Sequence, residues 1–166
     1  MIRTYIWLPR LKYGGSVASS ITGWGHAAIE IIDGVYISKW PKREDTPFGY
    51  TMCYEEDLDI CGTEDEVIEI SNLDEKAMTE YWEKARKKEF NDVFHNCCRV
   101  SAKTLNHGFY WSNFNSISTY FKRFGRTYSN LSGSTIHAYG EFFNQITTWT
   151  PYTVSGLAKY IKKIVE

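Results

Sequence analysis

Two adjacent cysteines, Cys97 and Cys98, occupy the position in this chain that most favours nucleophilic chemistry. They follow Asn96, a favourable helix N-cap, and the residues after them suit a short helix that ends at Gly108 in a left-handed cap. The unpaired N–H groups of a helix start favour negative charge, so a thiol placed there ionises more easily. Because the thiolate is the reactive form, the stretch contains a candidate nucleophile; two buried, inert cysteines are the alternative interpretation.

A nucleophilic cysteine needs a base within hydrogen-bonding reach, and the chain contains four histidines. His95 and His107 flank the predicted cysteine helix, where neighbours in sequence seldom point at one another. His137 lies in a tail without a clear pattern. His26 opens a predicted strand after a Gly-rich loop, where the backbone is firm and a substrate can still approach. A strand histidine is more often a structural hydrogen-bonding residue, but by position His26 is the preferred base.

The elements that must position these side chains include several short strands. Four stretches are predicted as strands from their β-branched and aromatic content, namely residues 2–8, 25–32, 35–40 and 66–70. Asp33-Gly34 between the second and third stretches is typical of a hairpin turn. We therefore expect the strand that begins near His26 to pair directly with the strand that follows it.

Two helices are also predicted from local signals. Asn72 and Glu75 form a capping-box-like pair, and apolar residues at helical spacing predict a helix from about residue 73 to residue 89. Thr150-Pro151 is typical of the N-cap and first position of a last helix. Residues 109–149 are an aromatic-rich extension in which 116–124 suit a helix and 125–134 a loop. No long linker divides the chain, so a single domain over residues 1–166 is expected.

Composition narrows the class of protein. Hydrophobic residues make up 43% and charged residues 23%, which is ordinary for a globular domain, and the net charge of −1 argues against a general nucleic-acid binder. Neither a signal peptide nor a membrane-spanning apolar run is recognisable, so synthesis in the cytoplasm, or export without a cleaved leader, is expected. The four cysteines are expected to be free thiols, because adjacent cysteines bridge only with strain and the spacing lacks paired C-x-x-C motifs.

The order of these motifs resembles a known family. Residues 25–31, a hairpin ending at 36–41, an amphipathic helix and then Asn96-Cys97 opening a helix are similar to the circularly permuted papain-like cysteine hydrolases. That group includes NlpC-type peptidases and the lecithin–retinol acyltransferase-like branch. The chain resembles in particular the TseH-like effectors, cell-wall hydrolases delivered by type VI secretion. The resemblance covers roughly residues 1–108, extends to the helix that Thr150-Pro151 begins, and implies an α+β fold whose antiparallel sheet packs against the cysteine-bearing helix.

The resemblance also implies roles for individual residues. The family's nucleophile directly follows asparagine, which selects Cys97; Cys98 points about 100° round the helix and is expected to be a packed thiol. His26 is then the base, and Ser38 matches the orienting position, where acyltransferase-like members have histidine. Serine orients a histidine only weakly, so Glu30 and a backbone carbonyl are alternatives. Glu30 lies about 13 Å from His26 along an extended strand, too far for direct contact.

The function implied is that of a cysteine peptidase or amidase, which cleaves amide bonds of cell-wall peptides through an acyl-enzyme, with helix-start N–H groups holding the oxyanion. The expected partners are a peptidoglycan peptide or another acyl substrate and an immunity protein, and the expected destination is the periplasm of a target cell. No cofactor, metal or nucleic acid is expected. A lipid acyltransferase or phospholipase of the same fold, with residues 109–111 binding acyl chains, and a non-catalytic binding domain are alternatives. Cys97, Cys98 and His95 are too close in sequence to converge on one metal ion.

Overall fold

The computed structural model describes residues 1–9, 25–32, 34–91, 95–112 and 149–166. Over these residues the chain forms an α+β structure with a five-stranded antiparallel sheet and four helices. The strands are β1 (Ile2–Trp7), β2 (His26–Ile31), β3 (Val35–Lys39), β4 (Tyr50–Thr51) and β5 (Glu66–Ile70). The helices are α1 (Tyr54–Cys61), α2 (Glu75–Ala85), α3 (Cys97–Ser112) and α4 (Pro151–Val165).

The sheet has the strand order β4-β3-β2-β1-β5, which places β2 at its centre. The predicted hairpin is confirmed: β2 and β3 are antiparallel and pair from Ile31 with Val35 back to Ile29 with Ile37. Gly34 in the turn has a φ of 105°, a conformation that glycine adopts at little cost. The predicted strands at 2–8 and 66–70 are confirmed as β1 and β5, which pair with each other.

The two faces of the sheet bury different side chains. One face packs against α2, α3 and α4 in an aliphatic core that includes Ile6, Ile29 and Leu105. The other face carries a smaller cluster of Tyr5, Trp7, Ala28 and Tyr36, against which Tyr54 and Cys61 of α1 pack. Neither α1 nor β4 was predicted from the sequence. Among the described residues, none of the helices combines the length and the apolarity that a membrane crossing requires.

The predicted start of α2 is wrong in detail. The N-cap is Asp74, whose carboxylate accepts a 2.9 Å hydrogen bond from the N–H of Ala77, and the helix covers Glu75–Ala85 rather than residues 73–89. Asn72 cannot cap it, because its φ of 59° lies in the left-handed region two residues before the cap and its side chain donates to the carbonyl of Val165. The buried face is as predicted and comprises Met78, Trp82 and Ala85.

Gly108 does not end α3, which continues to Ser112. A Cβ at Gly108 would lie 2.5 Å from the sulfur of Met78, so this glycine allows α2 and α3 to approach closely. The predicted left-handed cap is therefore wrong, since the glycine serves packing between helices. The predicted last helix is confirmed: Thr150 caps α4 and Pro151 is its first residue.

Several sequence predictions lie outside the described residues. They are the helix at 116–124, the loop at 125–134, most of the extension at 109–149, and His137. The single-domain boundary also stays a prediction.

Candidate active site

Cys97 is the first residue of α3 and is partly exposed. The N-cap prediction for Asn96 is confirmed, because its side-chain oxygen accepts a 2.8 Å hydrogen bond from the N–H of Arg99. Helix geometry leaves the N–H groups of Cys97 and Cys98 without an intrahelical acceptor. The sulfur of Cys97 therefore lies beside the positive end of the helix dipole, where a thiolate is favoured.

The backbone of β2 fixes the position of this sulfur. Pairing between β2 and β3 ends at Ile29, and Ala27, two residues nearer the start of β2, bonds to α3. Its N–H donates to the sulfur of Cys97, and its carbonyl oxygen accepts a 2.9 Å hydrogen bond from the hydroxyl of Ser101. Cys97 and Ser101 are one helical turn apart, so a single residue of β2 holds the first turn of α3 in place.

The imidazole of His26 contacts the Cys97 thiol through a side-chain hydrogen bond. The ring is 1% exposed and stacks on the indole of Trp40, with ring centroids 4.3 Å apart and planes 25° from parallel. Trp7 lies near the ring as well, at 5.4 Å between centroids. These aromatic neighbours hold the ring and exclude water from it, and an indole face also attracts a protonated imidazole.

A buried carboxylate that sequence reasoning missed, Asp57 on α1, also contacts the imidazole. Its Oδ2 is 3.1 Å from His26 Nε2 and accepts a 2.7 Å hydrogen bond from the hydroxyl of Tyr36. Its Oδ1 accepts 2.8 Å hydrogen bonds from Trp40 Nε1 and from the hydroxyl of Thr51. The carboxylate is fully buried, yet both oxygens are bonded twice, which is the condition for keeping a charge inside a protein.

Ser38 lies where the resemblance implies, with its hydroxyl oxygen 2.9 Å from His26 Nε2. It also accepts a 3.0 Å hydrogen bond from Trp40 Nε1 and bonds to Asp57. Ser38 therefore belongs to the group that surrounds Nε2, but the negative charge comes from Asp57. Glu30 bonds instead to Tyr5, at 2.7 Å.

Charge on Asp57 and Cys97 controls the protonation of His26. Burial alone would lower the pKa of this imidazole, but the two negative neighbours outweigh burial and raise its pKa to about 10. Burial likewise raises the pKa of Asp57, and the charge of His26 with the surrounding hydrogen bonds more than reverses that effect, so this pKa is lowered. At neutral pH the buried pair is therefore an imidazolium and a carboxylate.

The two neighbouring thiols are shifted in opposite directions. Their sulfur atoms are 3.8 Å apart. The hydrogen bond with Cys98 lowers the pKa of Cys97 most strongly; burial opposes this effect and the charge of His26 adds to it, so the pKa of Cys97 is lowered well below its ordinary value. The pKa of Cys98 is raised by the same hydrogen bond and by burial. Of the two thiols, Cys97 is therefore the one that ionises more easily.

The structure thus brings Cys97, His26 and Ser38 together, and their catalytic roles stay predictions. His95 bonds to the carbonyl of Ala85 at 3.0 Å, and His107 stacks on Tyr81, so both contribute to the contact between α2 and α3. The four cysteines are free, as expected. Within the described ranges, no three His, Cys, Asp or Glu side chains are grouped so that they could hold a metal ion.

One sequence signal could have pointed to the helix that carries Asp57. Glu55, Glu56 and Asp57 are consecutive acids, which suit the first turn of a helix. Asp57 is, however, the buried residue of α1, and a search for apolar periodicity passes over a helix whose inward side chain is a carboxylate.

In comparisons with protein-family models, with curated proteins and with solved structures, nothing matches this chain. Its function is therefore inferred from the geometry of the site and from the order of the elements that build it.

Proposed function

We propose that this chain is a cysteine hydrolase in which Cys97 is the nucleophile, His26 transfers the proton, and Asp57 holds the charge and orientation of His26. The observation that carries the proposal is the contact of one imidazole with both a partly exposed thiol and a fully buried carboxylate. A cysteine that served only packing would need neither partner. Covalent catalysis by a thiol requires a nucleophile, a base that contacts it, and a group that orients the base.

The same geometry supports a specific sequence of steps. The Cys97 thiolate attacks the acyl carbonyl, and the N–H groups of Cys97 and Cys98 are oriented to stabilise the resulting oxyanion. The imidazolium of His26 gives its proton to the leaving amine, which departs as the acyl-enzyme forms. His26, now neutral, takes a proton from water as that water attacks the acyl-enzyme. Release of the acid restores the thiolate and the imidazolium.

We also propose that the architecture is a permuted papain-like fold. In support, the strand with His26 precedes the helix with Cys97, and α3 packs across β2 and β3 at the centre of the antiparallel sheet. Amide bonds of cell-wall peptides are the substrate that this resemblance implies. Delivery to the periplasm of a target cell, and an immunity protein that blocks Cys97, complete the proposal for an antibacterial effector.

Incubation with purified peptidoglycan tests the activity. We expect new free amino and carboxyl groups in the wild-type digest, detected by mass spectrometry of the released peptides, and none with Cys97→Ala or His26→Ala. Cys53→Ser is the matched control, because Cys53 is a free, partly exposed cysteine at the N-cap of α1 and serine caps a helix well. At neutral pH Cys98→Ala should keep most of the hydrolysis; loss in Cys98→Ala with retention in Cys97→Ala would contradict the choice of nucleophile.

Two further measurements separate the alternatives. Hydrolysis of phospholipid vesicles instead of peptidoglycan would assign the same Cys97 chemistry to lipid esters. A thiol-reactive probe that labels Cys97 no faster than Cys53, with no hydrolysis of either substrate, would instead identify a non-catalytic binding domain. We expect fast labelling of Cys97 that His26→Ala slows, because removal of the imidazolium removes a charge that stabilises the thiolate.

A further inference from the structure

Cys98, the second residue of α3, is 3% exposed and belongs to the aliphatic core. Its sulfur nevertheless lies 3.8 Å from the sulfur of Cys97, within the range of a hydrogen bond between sulfur atoms. Burial removes water as a competing acceptor for its proton, and the nearby anion is the strongest acceptor that the proton can reach. A buried thiol beside a candidate nucleophile is therefore in a position to affect the charge of that nucleophile.

We propose that Cys98 is a positioning residue whose buried S–H donates to the Cys97 thiolate and so holds the negative charge on the partly exposed sulfur of Cys97. The catalytic consequence depends on the proposed hydrolase function, whereas the hydrogen bond itself can be tested without a substrate. The S–H group is a weak donor, but a bond to an anion in a region of low dielectric constant is stronger than the same bond in water.

Opposite pKa shifts in the two thiols agree with this arrangement. The bond lowers the pKa of the acceptor, Cys97, and raises the pKa of the donor, Cys98, because it stabilises one thiolate and one thiol. The N–H of Ala27 is a further donor to the Cys97 sulfur, on the side of β2.

Other ionisable groups could also affect the pKa of Cys97, and their contributions must be distinguished from that of Cys98. In the part of the chain that the structure describes, His26 of β2 contacts Cys97 with Asp57 behind it, and the charges of Lys39 and Lys103 act on His95, two residues before Cys97. The charge of Arg99 in α3 acts on Tyr81 of α2, and α4, which packs against α3, carries Lys159. Lys39 is directed to the carbonyl of Arg86 at 3.0 Å, and Lys159 binds Glu66 at 2.6 Å. His26 is thus the group whose contribution has to be held constant.

Alkylation of Cys97 by iodoacetamide, followed from about pH 5 to about pH 10 and assigned by peptide mass spectrometry, measures the effect. In Cys98→Ala we expect the midpoint of the rate profile to rise by about one pH unit, a roughly tenfold loss of thiolate on the acid side of the profile. Cys98→Ser should recover most of the shift, because its hydroxyl can donate from the same place and the volume is nearly conserved. If Cys98 served packing alone, the midpoint of the alkylation profile would not depend on whether residue 98 can donate a hydrogen bond.

An unshifted midpoint in Cys98→Ala, or a serine variant that behaves as the alanine variant does, would overturn the proposal. A shifted midpoint in a protein that hydrolyses nothing would overturn the hydrolase function and leave this hydrogen bond standing. If Cys98→Ala fails to fold, the S–H stretching band in the infrared spectrum gives a second measurement. The band of Cys98 should move to higher frequency in Cys97→Ala, and an unchanged band would also refute the bond.

Discussion

The hydroxyl of Ser101 donates a 2.9 Å hydrogen bond to the carbonyl oxygen of Ala27, the residue directly after His26. One turn earlier on the same helix, the sulfur of Cys97 accepts the N–H of Ala27. Both polar groups of one strand residue are therefore bonded to α3, where β3 no longer pairs with β2. The distance between the sulfur and the imidazole depends on this connection.

Ser101→Ala should loosen the connection without changing the site itself. We expect a loss of about 1–3 kcal/mol in the free energy of unfolding, because the buried carbonyl of Ala27 is left without its partner. We also expect slower alkylation of Cys97, measured alongside denaturant unfolding. Thr79→Ala is the control: it removes a 2.9 Å hydroxyl–carbonyl bond within α2 and should leave alkylation unchanged. Equal alkylation rates in the two variants would refute the proposed role of Ser101.

Asp57→Asn should separate the charge of the carboxylate from its shape. Without the negative charge, the pKa of His26 falls toward its ordinary value, and the Cys97 thiolate loses its imidazolium partner. We expect the midpoint of the pH profile of Cys97 alkylation to rise, with about a tenfold loss of thiolate on the acid side of the profile for each unit of the shift. The buried donors around Asp57 also lose a charged acceptor, so unfolding should become easier by about 3 kcal/mol. A proton NMR titration of His26 and urea unfolding measure the two effects.

Asp59→Asn is the matched control for that variant, because Asp59 lies on the same helix and is exposed. In this variant the titration of His26, the alkylation of Cys97 and the unfolding in urea should match those of the wild type. If the His26 titration were the same in Asp57→Asn and in the wild type, Asp57 would not be the source of the raised pKa.

The pH dependence of stability should reveal the ion pair of Cys97 and His26. The raised pKa of His26 contributes stability that is complete below its ordinary value of 6.5 and is lost as the pH rises through about 10. The lowered pKa of Cys97 contributes stability that grows with pH up to the ordinary value of 9.0. The two trends oppose each other between pH 6.5 and pH 9.0, so the unfolding free energy of the wild type should be nearly level over that range. Above pH 9.0 it should fall, because only the loss of the His26 contribution continues.

Cys97→Ala removes the opposing trend. Asp57 still raises the pKa of His26, so stability should decline from about pH 6.5 upward. Urea unfolding at a series of pH values measures this difference. Parallel curves for the variant and the wild type would mean that Cys97 is not ionised in the folded protein at neutral pH.

Gly25 directly precedes His26 and should be intolerant of a side chain. Its φ is +77°, and a Cβ would lie 2.5 Å from the carbonyl oxygen of Trp7 and 2.7 Å from Pro151. Gly25→Ala therefore combines backbone strain with a clash, and we expect a loss of more than about 2 kcal/mol in denaturant unfolding. Gly34→Ala isolates the strain, at about 1–2 kcal/mol, since nothing lies within 4 Å of a Cβ there. A loss at Gly25 no larger than at Gly34 would contradict the clash.

Gly156→Ala provides the control of opposite sign. Gly156 lies in α4 with nothing within 4 Å of a Cβ. Alanine is the better helix former, so this variant should gain up to about 1 kcal/mol.

Elements with strong local signals could be predicted from the sequence. Asp33-Gly34 between two alternating runs predicted the β2–β3 hairpin, and Thr150-Pro151 predicted the start of α4. These signals lie in the same few residues that form the element. Gly108 was misassigned because its role is a contact with Met78, which lies far earlier in the chain and is part of no local pattern around Gly108.

Only part of the candidate site could be predicted from the sequence. The contact between Cys97 and His26 and the nearness of Ser38 were expected from the order of motifs in a resembling family. Asp57 was missed, because its meaning depends on hydrogen bonds from Tyr36 and Thr51 that exist only in the folded chain. Rules that recognise buried residues by their apolar character do not identify a buried charged residue.

Every group bonded to the Nε2 side of His26, among those described above, comes from residues 26–57, and the longest of these direct contacts joins positions 31 apart. Closing loops of that length costs little more entropy than closing shorter ones, so this half of the site is favoured to assemble early in folding. The imidazole and the groups bonded to its Nε2 thus belong to one continuous stretch of chain, whereas the sulfur of Cys97 comes from a more distant segment. Damage to the contact of α3 with β2 should then abolish reactivity while Asp57 still keeps the pKa of the imidazole above its ordinary value.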